Sequence, residues 1–358
     1  MEMTIKPLLH LLRHFTSTFL AVESIALISL ITLFLVPGIF GVQVYYPDMR
    51  TLRFAAYHYL GPLIPVLVLP AALLTFFPKD RPGQGLRLIL GLRSTFAFCV
   101  VVFVHFNLKL WAQLINSARF DAAYSHLDQE LGSITLLLEW AGDTMRGPVS
   151  FLPHAYHELF VAMFFLSFLI HGTAGQPKVF HHLLGSVAAA LWIGGICYSL
   201  APAMGPFVFE SSTDPVSTEI QRHMFNFYSK FVQSKGSDYS PAFFVSALAA
   251  MPSLHLAHSL VFGYFAFRHT PILGWAYVLP IVYIALNAVA LKWHYVIDLP
   301  AGAIIAMVSI WLAGRLALPL KADQSAASTH SETNSQLTQS NAALRRTPPP
   351  ARQFKSSR

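Results

Sequence analysis

The chain has 358 residues, of which 54% are hydrophobic and only 11% charged, against about 25% charged in an ordinary globular protein. With 29 phenylalanines and long continuous apolar runs, this excludes a soluble fold and predicts an all-α polytopic membrane protein; only helices and closed barrels satisfy their backbone in lipid, and the runs do not alternate as barrel strands do. The formal charge of +7 lies in good part in the segment from Lys321 to Arg358, with six basic and two acidic residues, which suits anionic lipid headgroups rather than nucleic acid.

Taking about 20 residues as a spanning length, eight spans are expected, at 19–38, 60–77, 88–106, 155–171, 183–200, 247–267, 272–291 and 297–318. Lys6 and Arg13 before the first run superficially resemble a secretion signal, but the run lacks a small-x-small cleavage site and reads as a span. Glu23 in the first span, and Arg87 and Arg93 at the start of the third, are the least typical residues of their runs. Cys99 and Cys197 sit inside apolar runs as free thiols, so no disulfide is expected. Two long connections, 107–154 and 201–246, are expected to fold over a membrane surface and carry function. By parity both lie on one face with the entry to span six and the junction of spans seven and eight, and the basic tail makes that face extracytoplasmic. The tail's Ser, Thr, Gln, Asn and Pro content reads as disordered.

The chemistry gathers in Met251-Pro252-Ser253-Leu254-His255 and in His294-Tyr295-Val296-Ile297-Asp298. Ionisable residues at membrane depth are costly, so two histidines and an aspartate on one face imply use. A carboxylate holds an imidazole in one tautomer and makes it a better nucleophile or base, while a second imidazole can protonate a leaving oxygen. Ser253 and the free N–H groups of a helix start form a phosphate cradle. Together these make a phosphoryl-transfer site. Taken singly, Asp298 before Leu299-Pro300 also reads as a helix N-cap, and His255 as a core histidine.

These two segments, the second extended through Leu299-Pro300-Ala301-Gly302, resemble the second and third motifs of the type-2 phosphatidic acid phosphatase superfamily, most closely its inositolphosphotransferase branch (inositol phosphorylceramide synthase-like). Pro202-Ala203-Met204-Gly205-Pro206 is similar to a segment upstream in that branch. The resemblance implies a six-helix catalytic core over roughly 150–318, without metal or other cofactor. It implies His294 as the nucleophile, Asp298 as its orienting group, His255 as the acid for the leaving group, and Gly205 and Pro206 at the substrate. The superfamily's first motif, a Lys and an Arg-Pro separated by six residues, is absent: Arg81-Pro82 has Leu74 in the Lys position and falls on the opposite face. Ala288 stands where an arginine commonly precedes the third-motif histidine, and Leu254 where glycine is usual. Other cations must meet the phosphate charge. Lys292 is nearest in sequence, with Arg222 and His223 as alternatives.

Weaker signals are set beside these. His157-Glu158 opens like a zinc-protease helix but continues to Val161. His255 and His258, one turn apart, lack a third metal ligand. His181-His182 near Lys178 reads as an interfacial cluster on the opposite face, and Asp121 and Asp128 as headgroup ligands or as the solvated side of a short amphipathic helix. The resulting organisation is 1–110, N-terminal membrane helices; 111–149, an extracytoplasmic connection; 150–318, the catalytic core; and 319–358, a polar basic tail. The expected function is an integral membrane phosphotransfer enzyme acting on lipid phosphates or phospholipids, a transferase or, with water as acceptor, a phosphatase. The rivals from other classes are a proton-coupled transporter and a catalytically dead lipid-binding protein.

Overall fold

The computed structural model describes residues 19–76, 84–152, 154–174 and 176–316. The Lys321–Arg358 tail, Lys6, Arg13 and Arg81-Pro82 lie outside them. Among the described residues twelve α-helices run in chain order: α1 (Ala21–Phe40), α2 (Met49–Ala55), α3 (Ile64–Phe76), α4 (Gln84–Ile115), α5 (Asp121–Glu130), α6 (Gly132–Arg146), α7 (Ala155–Thr173), α8 (Pro177–Leu200), α9 (Pro215–Gln233), α10 (Leu254–His269), α11 (Pro271–Ala290) and α12 (Asp298–Leu316). A π turn at Ala56–Leu60 and a 3-10 turn at Gly61–Leu63 join α2 to α3, so that Met49–Leu73 forms one apolar span. The body from Leu20 to Ala317 is one compact unit.

Among the described residues seven helical segments are long and apolar enough to cross a membrane. Each expected span has a helix, but α10 has 16 residues, roughly 24 Å at 1.5 Å per residue, short of the ~30 Å hydrocarbon thickness. The stretch before it, 244–253, is extended or turned apart from the 3-10 turn ending at Phe243. That irregular entry sets His255 on the first turn of a helix that starts late. α4 runs to Ile115, well past the expected 106. Its polar residues Asn107 and Gln113, which break the apolar run in sequence, are buried within the protein; the Asn107 carboxamide accepts from the Tyr45 N–H at 2.8 Å. The long connections fold as α5, α6 and α9. α6 packs along α11, and Gly142 makes this possible, since a Cβ there would lie 2.6 Å from that of Ala290.

Two of the charges that made the first and third spans atypical, Glu23 and Arg93, satisfy each other. Arg93 donates from Nε to Glu23 Oε1 at 2.7 Å and from Nη2 to Oε2 at 2.8 Å, and Glu23 also accepts the Leu20 N–H at the start of α1. Removing one partner of such a pair leaves a charge at depth, a cost of about 3–5 kcal/mol, whereas removing both costs little. Glu23→Gln is therefore expected to lower the unfolding midpoint in detergent strongly, and Glu23→Leu with Arg93→Met to recover most of the loss. Equal midpoints for all three proteins would show that the pair contributes nothing.

Candidate active site

The turn after α11 carries the site. Trp293 and His294 both donate backbone N–H bonds to the Ala288 carbonyl, at 3.1 and 2.9 Å, and Lys292 takes a left-handed φ of 61°. This folds the chain back so that α12 begins four residues after His294. The Asp298 side chain, fully buried, reaches backward: its Oδ2 accepts from the Tyr295 N–H at 3.0 Å and lies 3.1 Å from His294 Nδ1. The carboxylate is thus the partner of the imidazole rather than an N-cap for the helix ahead. With Nδ1–H donated to Asp298, Nε2 carries the lone pair.

Ser253 and Gly302 bring the two motifs together. The Ser253 N–H donates to the Asp298 carbonyl at 3.1 Å, and a Cβ on Gly302 would stand 2.5 Å from the Ser253 carbonyl oxygen. The glycine therefore permits a close approach that any larger residue would block. Across this junction the His255 and His294 rings are 6.4 Å apart between centroids, and both line a cavity of about 1060 Å³. The His255 ring makes no hydrogen bond among the described residues and packs edge-on to Phe160 at 4.6 Å and tilted against Tyr156 at 5.0 Å between centroids, so it is not a core histidine held by a backbone carbonyl. His258 is: its ring nitrogens lie 2.8 and 3.2 Å from the Leu254 and Val187 carbonyls. It is not disposed to share a metal with His255, and the described residues contain no group of three or more candidate ligands.

Several expected positions lie elsewhere. The Ser253 side chain is fully buried and caps Leu256 N–H at 3.5 Å, outside the cavity lining. Gly205 and Pro206 do not line it either. Gly205, at φ +129°, packs against the Trp293 carbonyl, which a Cβ would approach to 2.8 Å, and so supports the His294 turn from behind. Lys292 is engaged away from the cavity, donating to Glu139 and Glu210 at 2.6 Å each. Burial opposes its charge, yet these two carboxylates carry its pKa above the ordinary lysine value. It lines a separate cavity of about 180 Å³. Arg222 is exposed and held by Glu219 on its own helix, while His223 does reach the large cavity. His181 and His182 are inside the bundle rather than an interfacial cluster: His181 is buried, and His182 Nε2 lies 2.9 Å from the Ile310 carbonyl.

Asp121 and Asp128 on α5 turn toward the loop that carries the site rather than forming a solvated face. Asp121, 4% exposed, accepts from Met204 N–H, Gly205 N–H and Tyr295 hydroxyl at 2.8, 3.0 and 2.9 Å. Asp128 accepts from Val296 N–H at 3.1 Å. Three carboxylates therefore hold the turn between His294 and Asp298. Burial pushes Asp128 up to about 6, against the lowering hydrogen bond from Val296, and the nearby Asp298 raises it further. Because the folded-state value lies above the unfolded one near 3.8, the native state holds this proton more tightly. The associated stability is present below pH 4 and lost as pH rises through 6. Unfolding midpoints in detergent are expected to decline over that window in the wild type and more shallowly in Asp128→Asn; parallel curves would remove Asp128 as the cause.

The cavity's remaining walls come from both halves of the chain: Phe54 to Tyr59, His105 to Lys109, Asp143 to Leu152, and Tyr156, His157 and Phe160 on α7. Residues of α4, α8 and α11 meet the starts of α7 and α10 and the turn before α12 here. Comparison with family models finds one described as PAP2 superfamily, matching residues 126–312. Comparisons with curated proteins and with solved structures return no match. The match covers just over half of the chain and takes in both histidine segments and the α5 carboxylate Asp128, and on it the chain belongs to the PAP2 superfamily, the type-2 phosphatidic acid phosphatase group that its two motifs resemble.

Proposed function

We propose that the protein is a lipid phosphotransferase that works through a phosphohistidine on His294, of the inositolphosphotransferase kind. Superfamily membership supports a lipid phosphatase or phosphotransferase kind of activity. The observation that carries the finer reading is the buried Asp298–His294 pair facing His255 across the cavity. In the first half-reaction His294 Nε2 attacks phosphorus, the bond to the leaving oxygen breaks with its electron pair, and His255 delivers a proton to that oxygen. In the second, an acceptor hydroxyl passes its proton to His255 as its oxygen attacks phosphorus, and the P–N bond electrons return to Nε2. A cavity of about 1060 Å³ is at the upper end of small-molecule sites and has room for a polar acceptor beside a lipid headgroup. Arg146, Thr213 and His223, which also line it, offer polar groups to such an acceptor.

The test incubates purified protein in nanodiscs with labelled lipid phosphates and phospholipids, with and without added polyols or lipid alcohols. Acid-labile label on His294 and label moved to an added hydroxyl compound are expected, with EDTA leaving both unchanged. Release of label only to water assigns the phosphatase instead, and proton-coupled uptake without covalent label assigns the transporter. The site is proposed to open at the extracytoplasmic leaflet: a cysteine at Ser237, in the 201–246 connection, should react with an impermeant thiol reagent in intact cells, and one at Ser340 only after permeabilisation. The reverse pattern would invert the orientation.

A further inference from the structure

The first motif that elsewhere in the superfamily meets the phosphate charge is missing here, and Lys292 is occupied by two glutamates. The cavity nevertheless holds a cation that the sequence hides inside an apolar run. Lys109 lies on α4 one turn beyond His105, and both line the cavity. Its Nζ is 6.0 Å from the centroid of the Tyr198 ring, and its ammonium has no carboxylate partner among the described residues. A lysine six residues before a helix end sits roughly 9 Å from that end. A chain of that length can snorkel outward; this one instead lines the interior space.

A second group on the same wall lacks a partner. Tyr156, on the first turn of α7, is 9% exposed, its ring lies tilted against that of His255 with centroids 5.0 Å apart, and its hydroxyl is buried with no hydrogen bond among the described residues. Burying a hydroxyl unsatisfied costs free energy, so an oxygen acceptor in the cavity would relieve it. An unpaired ammonium and an unpaired hydroxyl, carried by two residues that line the cavity of the nucleophile, have the complementarity that a tetrahedral oxyanion requires.

We infer that Lys109 and Tyr156 together bind the non-bridging oxygens of the transferred phosphoryl group, replacing the superfamily's absent first motif. This rests on the phosphotransfer reading above for its chemistry, but the anion site itself can be tested apart from it. The probe is orthovanadate, titrated against the full-length protein in nanodiscs and followed by tryptophan fluorescence, Trp293 lining the same cavity. Removing a charge-assisted hydrogen bond from such a site weakens binding about tenfold or more. Lys109→Met is expected to raise the vanadate Kd by at least that factor and to raise KM for whichever labelled lipid phosphate is turned over. Lys109→Arg should restore most of the affinity. Tyr156→Phe should weaken vanadate binding several-fold while its unfolding midpoint stays level or rises, since the hydroxyl it removes has no partner in the free protein; a structural tyrosine would show the opposite. If Lys109→Met and Tyr156→Phe bind vanadate like the wild type while His294→Ala has lost its label, the inference is overturned and the phosphotransfer reading stands. If vanadate binding depends on Lys109 but wild-type His294 never takes label, the anion site stands and the phosphotransfer reading falls.

Discussion

His294→Ala is expected to abolish turnover and covalent labelling together, with a loss of at least about 10⁴-fold, the scale on which removal of a nucleophile from a preorganised set is felt. Neither His255 nor His258 is placed to take over the attack. The His255 ring is 6.4 Å away between centroids and has no carboxylate partner among the described residues, and both nitrogens of His258 lie against backbone carbonyls. His255→Ala separates the two roles. With an ordinary alkyl leaving group it should cost about 10²–10⁴-fold, as loss of a general acid does, but with a nitrophenyl ester, whose leaving oxygen needs no proton, His294 should still take up label. Labelling of His294→Ala at the wild-type level would place the nucleophile elsewhere, and a His255→Ala protein equally impaired on both donors would remove His255 from the acid role.

What the sequence shows and hides follows from the physics of each feature. The spans are legible because a lipid-facing surface demands apolar length, and the histidine motifs because the desolvation cost of ionisable groups at span entries is seldom met without a use for them. Features that depend on which side of a helix faces inward are not. Lys109 sits between Leu108 and Leu110, both buried, and in the sequence it only shortens an apolar run; nothing there says that its face of α4 lines a cavity. Asp121 and Asp128 are seven residues apart on one face of α5, a spacing equally suited to solvation. Only the tertiary fold shows that the face meets the Tyr295 hydroxyl and the Val296 N–H. Lys292 errs the other way: closeness in sequence to His294 suggests a phosphate ligand, but its left-handed φ accompanies a turn that leaves it outside the large cavity, with Glu139 and Glu210. The Glu23–Arg93 pair, 70 positions apart, reconciles two spans that each look doubtful alone.

The second large effect is expected at Asp298, where activity and stability should part. Its Oδ2 lies against His294 Nδ1 and accepts the Tyr295 N–H, while Oδ1 is buried without a partner. An asparagine has two ways to fill the space. With its oxygen at the Oδ2 position it keeps both hydrogen bonds but loses the charge that supports a positive imidazole in the transition state. With its NH₂ there, it donates to His294 Nδ1, moves the ring proton to Nε2 and extinguishes the nucleophile. Either way the expected loss is large; the corresponding carboxylate-to-amide change in a serine protease triad costs about 10⁴-fold. The fold, by contrast, gives up a fully buried carboxylate whose second oxygen has no partner among the described residues, and relief of that desolvation offsets the lost pairing. Asp298→Asn should therefore unfold in detergent at or above the wild-type midpoint while its rate of His294 labelling falls by about three to four powers of ten. A variant that kept a third of wild-type activity would reduce Asp298 to a structural brace for the turn. One that lost activity only by unfolding would leave its part in orienting His294 unsupported, because the two effects would then share a single cause.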